Sequence, residues 1–257
     1  MKNMILDKFN LKGKTALITG CSRGIGKAIA LGLAEAGADI ICLYRKKTKS
    51  KMFNAQINSL NKKLFSYQAD LSNRDEIYEF IKLLMENDVK IDILVNNGGI
   101  IRRKNTIDYS DDDWDEVMEV NLNSQFIITR EIGKQMLKRK NGKIIFIASV
   151  LSFQGGKKVP AYAASKGGIV QLVKSLSNEW ARKGINVNAI APGYIKTRLT
   201  KDLQMDKERN NAILNRIPAG RWGKPEDIVG AAVFLSSAAA NYVNGAVIAV
   251  DGGWLGN

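Results

Sequence analysis

The sequence predicts an α/β fold: a single domain built on a doubly wound parallel sheet of about seven strands, with helices on both faces. Three observations carry this. Short apolar, β-branched runs alternate with longer amphipathic stretches in one continuous series. A glycine-dense turn, Gly20-Cys-Ser-Arg-Gly-Ile-Gly26, separates the first such run from the first such stretch. The 257 residues at 45% hydrophobic content suffice for one large core, and no linker, internal repeat or low-complexity segment divides them.

Composition narrows the chemistry. There is no histidine, which excludes a Ser-His-Asp relay and any histidine metal site. Acid–base work falls to Tyr, Lys, Asp, Glu or Cys, and no metal is expected. Cys21 and Cys42 make neither a disulfide framework nor a metal cluster; they read as buried or free thiols in a reducing compartment. The opening segment MKNMILDKFNLKGK has no apolar signal core, and no run approaches the roughly 18 apolar residues of a membrane span. A cytoplasmic protein with no membrane partner is the expectation. The net charge of +14 raises a nucleic-acid surface as one reading. The lysines are scattered, however, so a solvated basic surface that draws acidic small molecules is expected instead, with no nucleic-acid partner.

The elements follow in order. Thr15–Thr19 is a short buried strand, and a helix over 27–36 carries Ile29, Ala30, Leu33 and Ala34 on one side. Between them lie Gly20, Ser22, Arg23, Gly24, Ile25 and Gly26. Strand, glycine turn and helix set a pyrophosphate on a helix N-terminus, the Rossmann-type arrangement, although the spacing is G-x-x-x-G-x-G rather than G-x-G-x-x-G. A tight βα turn with no ligand is the alternative. The second strand spans 39–43. Asp39 stands at its start, away from the ligand end; at its far end come Tyr44, Arg45, Lys46 and Lys47, without a carboxylate. Arg45 and Arg23 suit a ribose 2′-phosphate, or are simply solvated.

A polar helix over 49–61 leads to a strand over 64–69 and then Asp70-Leu71. Asp70 either accepts from an adenine amino group or caps the helix over 73–87. A strand over 91–95 runs into Asn96-Asn97-Gly98-Gly99, where the glycines let the backbone pass close to a cofactor, a plain turn being the alternative. Asp111, Asp112 and Asp113 suit the first turn of a long helix through Lys140. Asn121, a poor helix former between Val120 and Leu122, is expected to serve a site.

The stretch 149–166, SVLSFQGGKKVPAYAASK, organises the chemistry. Ser149 closes an apolar strand at the carboxyl end, where open α/β sheets gather their ligands. Tyr162 and Lys166 are four apart on a helix over 161–183 and so share a face. A phenol with a pKa of roughly 10 must drop by about 2–3 units to act as a base near neutral pH, and an adjacent ammonium pushes it that way. Tyr-x-x-x-Lys is also a common accident. A strand over 185–191 then ends sharply at Pro192-Gly193, with Ile195 and Thr197 beyond. Residues from about 194 to 217 are polar and read as a mobile lid over a substrate. A helix over 225–236 and a strand over 246–250 complete the sheet.

Thr19-Gly20-x-x-x-Gly24-x-Gly26, Asn96-Asn97-Gly98-Gly99, Asn121, Ser149, Tyr162-x-x-x-Lys166 and Pro192-Gly193 resemble, in order and spacing, the motifs of the short-chain dehydrogenase/reductase family. The likeness runs from about residue 10 to the end, and Gly98 departs from the family's usual Ala. Within the family, NNGGIIRR, SFQGG, NEWA, INVNAIAPGY, RIPAGRWG, YVNG and IAVDGGWL resemble the branch acting on deoxy and keto-deoxy sugar acids.

The resemblance implies an NAD(P)-dependent oxidoreductase. Tyr162 is then the general acid/base, and Lys166 lowers its pKa and holds the nicotinamide ribose. Ser149 holds the reacting oxygen, and Asn121 positions a water. Gly20, Gly24 and Gly26 take the pyrophosphate side, Asp70 the adenine, Asn97 the adenosine ribose region and Thr197 the carboxamide. Ser22, Arg23, Ile25, Arg45, Leu71, Gly98, Pro192, Gly193 and Ile195 complete the cofactor set. NAD(H) is favoured by the resemblance and NADP(H) by Arg45; both stay open. A sugar acid carries a carboxylate, which arginine clamps through two parallel bonds. Arg103 is the first choice for that clamp and Arg102 the second, a solvated loop pair being the alternative; Gln154 and Trp222 border the pocket. A homotetramer is implied. Two rival readings remain: a 3-oxoacyl carrier-protein reductase of the same fold, whose acidic carrier the +14 charge suits, and a cofactor-binding nucleic-acid regulator.

Overall fold

Short apolar runs become strands; those inside the sheet are covered on both faces, whereas the two edge strands stay partly exposed. β1 (Thr15–Thr19), β2 (Asp39–Tyr44), β3 (Leu64–Gln68), β4 (Ile93–Asn96), β5 (Gly142–Ile147), β6 (Ile185–Pro192) and β7 (Val247–Val250) form one sheet in the order β3-β2-β1-β4-β5-β6-β7, every pair parallel. The structure is a computed structural model and describes residues 4–45 and 51–257. Lys46, Lys47 and Lys49 of the basic segment lie outside the described residues.

Period-two alternation splits the strands between two cores. Leu17, Ile41, Leu94, Ile144 and Phe146 face one side, where α3 (Arg74–Glu86), α5 (Ser124–Arg139) and α6 (Pro160–Trp180) pack with Phe80, Ile132 and Val173. Ile18, Ile40, Val95 and Ile145 face the other, against α1 (Gly24–Glu35), α2 (Lys51–Ser59) and α9 (Val229–Ser236) with Ile29, Phe53 and Leu235. The chain winds outward from β1 to β3, returns to β4, and winds the other way. The strand order therefore reverses between β1 and β4, and ligands of such sheets bind at the carboxyl edge there.

Three local findings differ from the sequence reading. The helix expected over 111–140 is divided: α4 (Asp111–Met118) and α5 are joined by a π-turn, Glu119–Asn123, centred on Asn121. The polar segment before residue 217 is folded. It forms α7 (Lys201–Met205) and α8 (Lys207–Arg216), the latter capped by Asp206 and anchored by Ile213 in a small core with Val150, Ile217, Trp222 and Trp254. Cys21 and Cys42 are not far apart: both are fully buried, and their sulfurs meet where the turn after β1 lies beside β2, with a Cα–Cα distance of 5.9 Å. Among the described residues no helix is long and apolar enough to cross a membrane.

Candidate active site

The carboxyl edge of the sheet opens into a cavity of about 890 Å³, in the range of small-molecule sites. Its first half is shaped by the β1–α1 turn. Gly20 and Gly24 hold φ of +69° and +56°, which only glycine adopts without strain. A Cβ on Gly26 would lie 2.5 Å from the Gly20 carbonyl oxygen and 2.4 Å from Asn97 Nδ2. The turn is braced from β4. The Thr19 hydroxyl accepts from the backbone N–H of Asn97 (3.0 Å) and of Gly98 (2.8 Å), while Asn97 Nδ2 donates to the carbonyls of Thr19 (2.9 Å) and Gly20 (3.2 Å). The amide expected at the adenosine ribose thus shapes the glycine turn. α1 begins at Gly24, and its cap position, Arg23, supplies no side-chain acceptor. The first N–H groups of α1 are left for an anion, as a pyrophosphate requires.

The cofactor residues expected from the sequence are brought together. Gly20, Ser22, Arg23, Gly24, Ile25, Gly26, Arg45, Asp70, Leu71, Asn97, Gly98, Lys166, Pro192, Gly193, Ile195 and Thr197 all line this cavity. Asp70 is not the cap of α3. That is Asn73, which accepts from the N–H groups of Asp75 and Glu76, whereas Asp70 accepts from the N–H (3.0 Å) and hydroxyl (2.8 Å) of Ser72. A glycine-shaped anion cradle, a cation-edged β2 end and an acid at the β3 end fit a nicotinamide dinucleotide.

Ser149, Tyr162 and Lys166 line the second half. Ser149 caps a 3-10 turn, Val150–Ser152, accepting from Leu151 N–H at 3.1 Å, and its hydroxyl favours the Tyr162 phenolate. α6 starts with Pro160 in its first turn and carries Tyr162 and Lys166 on one face. Lys166 Nζ donates to the Ile147 carbonyl at 2.6 Å and stands 5.7 Å from the centre of the Tyr162 ring. Burial pushes Lys166 down to about 8. The Tyr162 phenol is raised, not lowered: burial dominates, opposed by the Ser149 hydrogen bond and by the charge of Arg103. The neighbouring cation that favours its phenolate here is Arg103.

Asn121 is fully buried and lies behind the cavity wall. Its Oδ1 accepts from Ile100 N–H at 2.8 Å; its Nδ2 donates to the Ile100 carbonyl at 2.9 Å and to Ser165 Oγ at 3.3 Å. The side chain thus ties the π-turn to the loop after β4 and to α6. π-turns of this kind are frequent at functional sites.

Two expected substrate residues are elsewhere. Arg102 is engaged by Glu116 and by Asp113 (3.4 Å) and does not line the cavity. Adjacent residues of an extended loop point to opposite sides, and it is Arg103 that faces inward, donating to the Leu199 carbonyl at 3.0 Å. Trp222 is buried behind Tyr194, edge-on at 5.4 Å, with Nε1 donating to Asn210 at 2.8 Å. The indole at the cavity is Trp254. Gln154 lines the cavity as expected, joined by Tyr194, Arg209 and Arg216, which lie in the segment expected as a lid but were not singled out as site residues. No spacing in the sequence links these to residue 162. Among the described residues no cluster of His, Cys, Asp or Glu is placed to hold a metal ion.

A family model described as Enoyl-(Acyl carrier protein) reductase matches residues 20–255. The chain is 59% identical over 253 residues to a 2-dehydro-3-deoxy-D-gluconate 5-dehydrogenase of Pseudoalteromonas atlantica, covering 98% of this chain and 100% of that one. It is 54% identical over 250 residues to the enzyme of the same name from Bacillus subtilis, covering 97% of each. A solved structure of a gluconate 5-dehydrogenase from Burkholderia cenocepacia, in complex with NADP and tartrate, superposes with a TM-score of 0.94 at 39% identity over 99% of this chain and 100% of that one. Glycine cradle, reversed strand order and the Ser149–Tyr162–Lys166 wall agree with this likeness along the whole chain, which belongs to the short-chain dehydrogenase/reductase family of NAD(P)-dependent oxidoreductases.

Proposed function

We propose that the protein interconverts a secondary alcohol and a ketone on a keto-deoxy sugar acid, with 2-dehydro-3-deoxy-D-gluconate oxidised at C5. The relatives at 59% and 54% identity carry that activity in their names. The observation that carries the chemistry is the convergence of Ser149, Tyr162 and Lys166 on one wall of the cavity whose other half fits a dinucleotide. When bound, the nicotinamide supplies the hydride acceptor for oxidation and the donor for reduction.

The chain's own groups handle the oxygen. Tyr162 takes the carbinol proton as the alcohol is oxidised and returns it as the ketone is reduced. Ser149 hydrogen-bonds the same oxygen and fixes it against the phenol. Lys166, held by the Ile147 carbonyl, places its ammonium on the phenol's side of the wall. Asn121 keeps the loop after β4 and α6 in register, and its π-turn is the place for a relay water. Arg103 attracts the phenolate and meets substrate oxygens at the reacting end. Residues 194–217 form the lid that excludes water. A homotetramer in the cytoplasm completes the reading.

The test is a panel of aldonic and keto-deoxy acids run with NAD and NADP, beside acetoacetyl thioester with NADPH. Turnover of 2-dehydro-3-deoxy-D-gluconate well above the thioester supports the reading. The reverse order assigns the protein to carrier-protein reduction instead.

A further inference from the structure

α8 turns one face to the cavity: Arg209, Ala212, Ile213 and Arg216, at the i, i+3, i+4 and i+7 positions of a single helical side. The two apolar residues form the middle of that face, and a guanidinium stands at each end. Among the described residues neither arginine forms an ion pair. Of the two acids next to Arg209, Asp206 is occupied as the cap of α8, accepting from the Arg209 backbone N–H at 3.0 Å, and Glu208 forms no ion pair among the described residues. Arg216 is nonetheless held in place. Its guanidinium carbon lies 4.0 Å over the centre of the Trp254 ring, and Nη2 donates to Gln154 Oε1 at 3.1 Å. A guanidinium stacked on an indole and steadied by one amide presents its remaining N–H edge in a fixed orientation, the arrangement suited to a planar carboxylate.

We propose that Arg209 and Arg216 are the carboxylate-binding pole of the site, with Arg216 the fixed member, and that the carboxylate role expected of Arg103 passes to them. This rests on the sugar-acid reading above. In 2-dehydro-3-deoxy-D-gluconate the carboxylate carbon is four bonds from C5, about 5 Å in an extended chain. With C5 at Tyr162, the carboxylate lies away from the phenol. Arg103 is tied to the Leu199 carbonyl and its charge acts on Tyr162, which puts it at the reacting end. The α8 pair belongs to a different element, with Arg216 packed against Gln154 and Trp254, and neither arginine has an acidic partner among the described residues.

The experiment measures affinity of the NADP-loaded protein for gluconate and for its methyl ester by calorimetry, in the wild type, Arg209→Ala, Arg216→Ala, Arg216→Lys and Arg103→Ala. The proposal expects the wild type to prefer the acid by at least ~10-fold. That preference should fall towards unity in Arg216→Ala, drop several-fold in Arg209→Ala, and be partly kept in Arg216→Lys, which retains charge but not the fork. Among the described residues the Arg209 side chain makes no hydrogen bond or ion pair, so Arg209→Ala keeps the test usable should Arg216→Ala fold poorly. A preference absent from the wild type, intact in both α8 alanine variants, or lost only in Arg103→Ala overturns the proposal. Turnover of 2-dehydro-3-deoxy-D-gluconate is scored separately: if it is nil while the preference still depends on Arg216, the sugar-acid reading fails and the carboxylate pole stands.

Discussion

The two halves of the cavity are built by different means. The cofactor half consists of backbone: positive-φ glycines, uncapped N–H groups of α1, and a strand end stapled by Thr19 and Asn97. Its shape is set by residues close in sequence and by β1 and β4, which lie side by side in the sheet. The other half, where we propose the substrate binds, consists of side chains from remote segments: Arg103 after β4, Gln154 after β5, Arg209 and Arg216 on α8, and Trp254 near residue 257. The difference teaches that a dinucleotide cradle tolerates almost no change in its glycines, whereas the substrate wall can be re-lettered one side chain at a time on an unchanged frame. A shared cofactor and divergent substrates follow from that division.

The largest expected effect separates the halves outright. Tyr162→Phe keeps the ring and loses the proton, so kcat should fall by about 1,000-fold or more while the cofactor dissociation constant stays within about twofold. Cofactor binding that collapses along with turnover would mean the phenol belongs to the cradle rather than to the chemistry. Gly26→Ala strikes the other half. Its Cβ would sit 2.5 Å from the Gly20 carbonyl oxygen, so the turn must shift. Overpacking of ~1–3 kcal/mol should weaken NADP binding by up to ~100-fold. Fluorescence titration with NADPH checks this.

pH sharpens the comparison within the substrate half. Tyr162 is raised above its ordinary value, so near neutral pH it stands protonated, ready to give a proton but not to take one. Raising the pH increases the phenolate fraction. kcat/KM for oxidation should therefore climb by as much as ~10-fold per unit from about pH 6 to 9, while reduction stays flat or declines. A flat oxidation profile would rule out the phenol as the base. The smallest effect concerns the edge of the cradle. Arg45 is exposed at the end of β2. Arg45→Ala should lower the NADP-to-NAD ratio of kcat/KM by about fivefold to tenfold, the worth of one charge-assisted phosphate contact. An unchanged ratio would make it a solvated arginine.

What could be read from the sequence divides along the same line. The glycine turn, the alternating series of strands and helices, and the Ser149–Tyr162–Lys166 wall were all legible, because each depends on short spacings that translate directly into geometry. Arg103 was ranked ahead of Arg102 and does face the cavity, but only the fold shows which way each of two neighbouring loop residues points. Trp222 was mistaken for Trp254 because both sit in glycine-rich turns, and only tertiary packing decides which indole reaches the cavity. The direction of the Tyr162 shift was missed for a related reason. Spacing reveals a lysine one turn away, but desolvation depends on what covers the phenol. Nothing in the pattern announced the π-turn at Asn121, which replaces a continuous helix by one with a local step.

The Thr19–Asn97 staple bears on the order of events in a turnover. The glycine turn is held in its working shape by hydrogen bonds internal to the protein, so a dinucleotide docks with little ordering of the backbone left to be done. From such a preformed cradle a compulsory sequence is expected, in which nucleotide enters first and departs last, with the acid arriving and leaving in between. Product inhibition should show NAD(P)H competing with NAD(P), and the keto acid noncompetitive against it.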